Sequence, residues 1–486
     1  MKLKSFVPRD ISLSEDFVGF PLIHKDLFDI VKYLGHLIKV TKEEKYDYKR
    51  MLIAAESGSL FLGRTGAGKT HALHCVVNEA IKLDYYSVDG SLMLGKTVID
   101  PIDVREFFES CRVMAEEKPL LIVYDDARQL LGSRHQYMNS GYRNNNQETR
   151  PVLSEFRRQI DGLQYYVNPV YLIITSATRI WDIDRQIARR FSRYIRFPRP
   201  EDESRRALFN YYLNKFGHKP ENMDIETLSF LSDGLIAGKI EEIVSKASYK
   251  SDLDDGTLTN KNLIMEIIRH LQGPPSDTYL TYEQKINIAY HESGGHTIPA
   301  YAVGLEPILV TITPSADGTF GKNFHRHSEK IPLSSAKFYF ANVITSMGST
   351  AIYQETGKSR EEGRMSDLTS SSKSALDLYA LKNPLINMKL RTAHEDTYLS
   401  LGLFSEENKR EIEEEIQKIK EAALTIAQNI IRNYRNEITI FAEEHLLKRE
   451  IMVRSEILQV FRELGLVPGQ YYGQMCDILR KLGYPV

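Results

Sequence analysis

The sequence predicts an α/β fold: a phosphate-loop core built on a parallel sheet, a helical segment behind it, and then a mostly α-helical domain. Between about residues 50 and 200, short uninterrupted apolar runs alternate with helical patterns. That alternation implies a parallel sheet covered on both faces. A glycine-rich loop sits between the first apolar run and the first helical pattern. After Pro198-Arg199-Pro200 only helical periodicity continues, until Gly273-Pro274-Pro275-Ser276 stops any helix.

Taken in order, Leu60-Phe61-Leu62 leads into the glycine loop, and a helical pattern follows from Lys69 towards Leu83. Tyr85-Tyr86-Ser87-Val88 reads as a second strand and Val104 to Ala115 as a helix. Leu120 to Tyr124 is a third strand, Val152 to Leu163 a helix and Tyr171 to Ile174 a fourth strand. The polar run from Ser133 to Arg150, with Asn144-Asn145-Asn146, reads as a surface loop. Helices occupy Glu201 to Gln272. From Tyr279 the chain is mostly helical, except for the β-branched run Ile308 to Thr313. Glu406 to Tyr434 carries apolar residues at helical spacing, as a long amphipathic helix does. The expected domains are 1–200, 201–273 and 274–486.

A chain of 486 residues is too long for one core. Its 42% hydrophobic and 26% charged residues describe an ordinary folded protein, and a net charge of −2 with mixed signs points to neither nucleic acid nor anionic membrane. The three cysteines, Cys75, Cys111 and Cys476, form no C-x-x-C pair and fit buried thiols in a reducing compartment. No signal-length apolar stretch opens the chain, and no window approaches the length of a bilayer span. The expectation is a soluble, cytoplasmic protein with no transmembrane segment.

Gly63-Arg64-Thr65-Gly66-Ala67-Gly68-Lys69-Thr70 fits G-x-x-x-x-G-K-[ST] at every fixed position. Glycines let the backbone wrap a phosphate and aim its N–H groups inward, Lys69 reaches the β/γ-phosphates, and Thr70 holds Mg²⁺. Leu121-Ile122-Val123-Tyr124-Asp125-Asp126 is a strand ending in two acids. Asp125 would then act on the Mg²⁺ side and Asp126 would polarise the attacking water. The plainer alternative is a solvated turn after a strand.

A second motif, His291-Glu292-Ser293-Gly294-Gly295-His296, has the His-Glu…His of a zinc peptidase with one residue too many. In H-E-x-x-H the histidines are about 40° apart around a helix, both rings face one Zn²⁺ ion, and the glutamate is general base. Here they are about 140° apart on a regular helix. A single π-turn absorbs the extra residue and restores the face, and Gly294-Gly295 is where a helix would yield. The insertion is therefore either accommodated or the mark of a lapsed site. His325 and His327 are rival ligands by residue type, read as surface histidines in a loop.

With these motifs the chain resembles the AAA+ ATPases, and among them the FtsH-type AAA+ metalloproteases. Thr175-Ser176-Ala177-Thr178-Arg179 is similar to the sensor strand, with Thr178 where the family has asparagine, and Ala188-Arg189-Arg190-Phe191-Ser192-Arg193 resembles its R-F-D-R segment. The resemblance implies that Arg190 and Arg193 are arginine fingers acting on the neighbouring subunit's nucleotide. A surface basic cluster is the alternative. Ile288 to Glu292, Val310 to Pro314 and Gly402 to Glu406 resemble the peptidase domain, and Ser366-Asp367-Leu368 nominates Asp367 as third zinc ligand.

The likeness runs from about residue 15 to 466 and implies an AAA+ core with a helical lid and a zinc-metallopeptidase domain. It also implies ATP, Mg²⁺ and Zn²⁺ as cofactors, protein substrates and a homo-oligomeric, hexameric ring. Two departures stand out. The family's Asp-Glu pair is Asp125-Asp126 here, which sets the base about 1.5 Å back, and shifts of that size lower rates about a hundredfold. The pore stretch Gly90 to Ile99 lacks an aromatic residue, leaving Met93-Leu94-Gly95 either as a softer grip or as part of a plain helix or loop. These departures favour the rival expectation of a catalytically lapsed homologue, acting as an unfoldase or as the structural partner of an active homologue in a hetero-ring.

Overall fold

Five parallel strands form the sheet of the first part of the chain: β1 (Gly58–Gly63), β2 (Tyr86–Asp89), β3 (Leu120–Tyr124), β4 (Val170–Ser176) and β5 (Arg193–Phe197), in the order β2-β3-β4-β1-β5. The computed structural model describes residues 3–91, 100–127, 149–177, 183–253, 256–273, 276, 278–314, 320–327, 335–358, 361–383 and 406–485. Two compact units divide it, Met1–Leu263 and Ile264–Val486.

In the first unit every residue of β3 and β4 is buried, as their uninterrupted apolar runs require. Helices α1 (Pro21–Lys42), α2 (Tyr46–Ala55), α3 (Lys69–Lys82), α4 (Pro101–Met114) and α5 (Thr149–Gly162) accompany the sheet. Asp100 starts α4 by accepting from the backbone of Ile102 and Asp103 while the Asp103 carboxylate accepts from the Asp100 N–H, a capping box. The strand order reverses between β4 and β1, so the loops after β1, β3 and β4 gather at one edge of the sheet, where open α/β sheets bind ligands. Sequence reading overlooked β5, although Ile195 and Phe197 alternate inward along it. The lid carries α6 (Asp202–Lys215), α7 (Ile225–Leu231) and α8 (Ala237–Leu253). All three cysteines are buried and unpaired, and no helix among the described residues is long and apolar enough to cross a membrane.

The second unit begins its main body with α9 (Tyr282–Tyr290), capped by a Thr281/Gln284 capping box. A π-helix follows directly, His291–Thr297, and then α10 (Ile298–Val303). Its widened turn is explicit, since the Ile298 N–H bonds the Ser293 carbonyl and the Thr297 hydroxyl bonds the Glu292 carbonyl at 2.7 Å, both five residues back. A three-stranded antiparallel sheet, ordered β7-β6-β8, joins β6 (Glu306–Pro314), β7 (Phe320–Arg326) and β8 (Ile451–Val453). β6 has the long apolar run that announces a strand, β8 is an apolar run of only three residues, and β7 has none. The long helices α11 (Ala336–Thr356), α12 (Glu361–Lys382) and α13 (Glu406–Asn433) pack around one core that includes Phe340, Ile344, Ile426 and Ile430.

α11 lies backbone to backbone against the π-helix. A Cβ added at Gly348 would fall 2.0 Å from the Gly295 carbonyl oxygen, and one at Gly294 would fall 2.8 Å from Ile352. Gly348→Ala must therefore push the two elements apart, destabilising the second unit by about 2 kcal/mol or more. Thermal melting should show its transition lowered by about 4–8 °C. Gly473→Ala, where nothing lies within 4 Å of the added atom, should melt like the parent.

Candidate functional site

The phosphate loop turns through two left-handed glycines, Gly66 (φ 79°) and Gly68 (φ 98°), before α3 starts at Lys69. This aims the N–H groups of the loop and of the first helical turn into a common hollow. Lys69 is 7% exposed and donates to the carbonyls of Gly63 and Arg64, each at 2.9 Å. Thr70 donates to both carboxylate oxygens of Asp125 at 3.1 Å. A cavity of about 180 Å³ opens here, lined by Gly66, Lys69 and Thr70 together with Phe17, Tyr212 and Gly238. The Gly238 N–H at the start of α8 bonds the Gly66 carbonyl at 2.9 Å, so the lid touches the loop itself.

Thr175, near the end of β4, ties the two acids together. Its hydroxyl donates to Asp125 and accepts from the Asp126 N–H at 2.8 Å. Asp126 is exposed in a left-handed conformation, φ 49°, one that a short polar side chain tolerates. Ser91 accepts from the Asp125 N–H at 3.1 Å. The sequence alone puts Thr175 on the sensor strand and Ser91 in the stretch Gly90 to Ile99, with no role for either at the acids. Topology explains Thr175, since β4 runs between β1 and β3.

Arg190 and Arg193 lie away from this loop. In the parallel register Arg193 sits beside Ser59, at the start of β1, whereas Gly63 ends it. Arg190 pairs with Asp161 at 2.6 Å and Arg193 with Glu56, all within the chain. Thr178, the pore residues Leu92 to Ile99 and the segment Gly402 to Ser405 lie outside the described residues.

In the second unit the π-turn brings His291 and His296 to one face, with ring centroids 5.0 Å apart. Asp367, from α12, places its Oδ2 3.4 Å from His291 Nε2 and 3.2 Å from His296 Nε2. One ligand atom from each of the three lies within 4.8 Å of the others. Zinc bonds of about 2.0–2.1 Å in tetrahedral arrangement put neighbouring ligand atoms about 3.3–3.4 Å apart, so this nitrogen, nitrogen and oxygen set fits zinc. Gly363, at the start of α12, makes the approach possible, because a Cβ there would meet His291 Nε2 at 2.8 Å. Burial works against the His296 imidazolium, but the charge and hydrogen bond of Asp367 outweigh it and raise its pKa to about 9. Asp367 is correspondingly held below its ordinary value: burial opposes this, and His296, His291 and Ser349 override it.

Glu292 is 4% exposed and projects from the same turn towards β7. Its Oε2 accepts from Asn323 Nδ2 at 3.0 Å, and a Cβ at Gly321 would meet its Oε1 at 2.7 Å. A cavity of about 630 Å³ is lined by His291, Glu292, His296, Asp367, Asn323 and His325. His325 thus departs from its reading as a surface histidine in a loop. It lies on β7, half-buried, facing this cavity, and burial followed by the positive His296 lowers its pKa to about 4. His327 is exposed beyond the strand.

Two family descriptions match: residues 59–199 the ATPase family associated with various cellular activities (AAA), and residues 278–460 peptidase family M41. Together they cover about two thirds of the chain. The chain belongs to the FtsH-type AAA+ zinc metalloproteases. A protein from Mycobacterium tuberculosis described as the ATP-dependent zinc metalloprotease FtsH is 25% identical over 465 residues, covering 93% of this chain and 59% of the relative. A Pseudomonas putida protein of the same description is 23% identical, covering 93% of this chain and 73% of the relative. This chain thus spans only 59% of the length of the mycobacterial relative. A solved chain of the E. coli MS115-1 HORMA:CdnC:Trip13 complex aligns with TM-score 0.44 and 17% identity over 57% of this chain and 97% of that one, too distant to bear on fold or function.

For this FtsH-type chain the site geometry predicts one zinc per chain by metal analysis. His296→Ala should lose it, and Glu292→Gln should keep it, because the glutamate is not a ligand. Deleting Gly295 should abolish zinc binding as well. The π-turn is packed against α11, so restoring regular spacing leaves its neighbours one residue out of register. Retention of zinc in the deletion variant would show that the π-turn is not what assembles the site.

Proposed function

We propose that the chain is an ATP-dependent zinc endopeptidase that works in a ring, hexameric as the family resemblance implies, unfolding protein substrates and cleaving them at His291, His296 and Asp367. The observation that carries it is the π-turn: the spacing that would have disabled a regular helix leaves two histidines and an aspartate converging beside a buried glutamate. When bound, zinc would supply Lewis acidity that polarises the scissile carbonyl and acidifies a water molecule. Glu292 takes the proton from that water and returns it to the departing amine. Asn323 holds the carboxylate in position by donating to its Oε2. Absorption of the added residue within the turn supports this reading over the lapsed one, whose remaining grounds are the Asp125-Asp126 pair and the pore stretch.

In the first unit, Gly66, Gly68 and Lys69 hold the phosphates of ATP, and Thr70 with Asp125 holds Mg²⁺. Asp126 orients the attacking water, and Thr175 fixes both acids. Arg190 and Arg193 act on the nucleotide of a neighbour, having no access to that of their own chain. Their position at the opposite end of β1 from the loop supports this assignment.

The tests separate the two activities. Lys69→Ala should abolish ATP binding by equilibrium titration. Asp126→Asn should bind ATP like the parent and turn over about a hundredfold more slowly or worse. Casein should be cleaved in an ATP-stimulated, chelator-sensitive reaction that Glu292→Gln stops. ATPase activity per chain should rise steeply with protein concentration, and an Arg190→Ala, Arg193→Ala chain mixed in should poison it. Activity per chain that stays flat down to a demonstrated monomer would remove both arginines from the mechanism.

A further inference from the structure

We infer that Asn323 and His325 form a substrate-reading pair, in which Asn323 fixes the tautomer of His325 that presents a bare Nε2 to a backbone N–H of the bound polypeptide. The inference rests on the peptidase reading above and adds to it a substrate contact outside the metal ligands and the general base.

Both residues lie on β7, two apart, and so on one face of the strand. Gly321 precedes them on that face, with φ 100°, and lets the Glu292 side chain lie against the strand. Each hydrogen bond in the chain that follows has only one possible direction. Asn323 Nδ2 lies 3.0 Å from Glu292 Oε2 and donates to it, since a carboxylate oxygen accepts from an amide NH₂. The carbonyl oxygen of Asn323 is then the atom 3.0 Å from His325 Nδ1. That oxygen only accepts, so Nδ1 carries the hydrogen. A neutral imidazole has one N–H, which leaves Nε2 with its lone pair exposed. Burial disfavours a second proton on the ring.

Among the described residues no protein group hydrogen-bonds Nε2, and the ring lines the cavity that holds the metal-binding triad. His325 stands outside the three groups whose ligand atoms converge. Its nitrogen is therefore an acceptor for a ligand and not a fourth bond to the metal. The donor that every polypeptide carries, whatever its side chains, is the backbone N–H. A contact of this kind binds unfolded protein without reading sequence.

The test uses the zinc-loaded full chain and a fluorescein-labelled peptide hydroxamate, which anchors on zinc, with a series in which each backbone amide in turn is N-methylated. Affinity is measured by fluorescence anisotropy. In the parent, methylation at one amide should weaken binding about tenfold. In His325→Phe the unmethylated peptide should bind about tenfold more weakly, and methylation at that amide should no longer matter. His325→Gln, whose amide oxygen still accepts, should keep the methylation penalty and guards against a folding defect in the phenylalanine variant. Asn323→Leu should reduce the penalty with zinc still at one per chain.

An unchanged penalty in His325→Phe overturns the inference, and loss of zinc in that variant makes His325 a ligand instead. A parent that cleaves casein but shows no amide penalty sinks the inference alone. Full coupling in a parent that cleaves nothing sinks the peptidase reading and leaves the contact standing. Failure of every hydroxamate to bind the zinc-loaded chain sinks both.

Discussion

The close approach of α11 to the π-helix is the contact on which the second unit depends. Gly348 and Gly295 bring two backbones together where a single methyl group would fall 2.0 Å from a carbonyl oxygen. On the neighbouring side Gly294 meets Ile352 and Ile438. The paired glycines therefore do two things at once. They allow the helix to widen by one residue, and they let α11 sit close enough to hold the widened turn in place. A π-turn in isolation has no advantage over an α-turn. Here the alternative, an α-helix through the same residues, would turn His296 away from His291 and present different atoms to α11.

The same region is anchored from the opposite side. Tyr290, the last residue of α9, donates to Thr439 at 3.2 Å and to Glu443 at 2.8 Å. Glu443 belongs to a second π-helix, Phe441–Leu446, and also accepts from Lys358 at 3.2 Å. The Lys358 ammonium lies 4.2 Å from the centre of the Tyr290 ring. Lys358 and Glu443 are partly exposed, so the electrostatic strength of their pair is modest. Their effect is geometric: they fix where α9 ends, and so where the irregular turn begins.

What could be read from the sequence, and what could not, follows from where each signal comes from. The phosphate loop and the strand ending in Asp125 are local patterns, and the parallel sheet is announced by apolar runs buried on both faces. The accommodation of the extra residue was legible as one of two outcomes, because helix arithmetic gives the misfit and glycine gives the means. The choice between them lies in the packing of α11, some fifty residues away, which no local pattern encodes. β7 carries no apolar alternation, because Gly321, Asn323 and His325 face the large polar cavity and not a core. His325 was misplaced for that reason. Thr175 was seen but given no role, because its function arises from its strand lying between two others.

Arg190, just before β5, and Arg193, its first residue, set a condition on any assembly. Arg190 and Arg193 are neutralised within their own chain by Asp161 and Glu56. For either to stabilise charge on a neighbour's nucleotide, its intrachain partner must be exchanged for phosphate. Asp161 is 53% exposed and the Arg190 side chain 27%, so that pair is screened by solvent and contributes little to stability. A polyphosphate carries more charge than one carboxylate and offers the guanidinium bidentate partners. The Arg193–Glu56 pair is less exposed, so the proposed exchange would be the easier for Arg190. Under the proposed finger role, each arginine would be paired within its own chain until a neighbour presents phosphate, so the intrachain pairs are the state that assembly must displace.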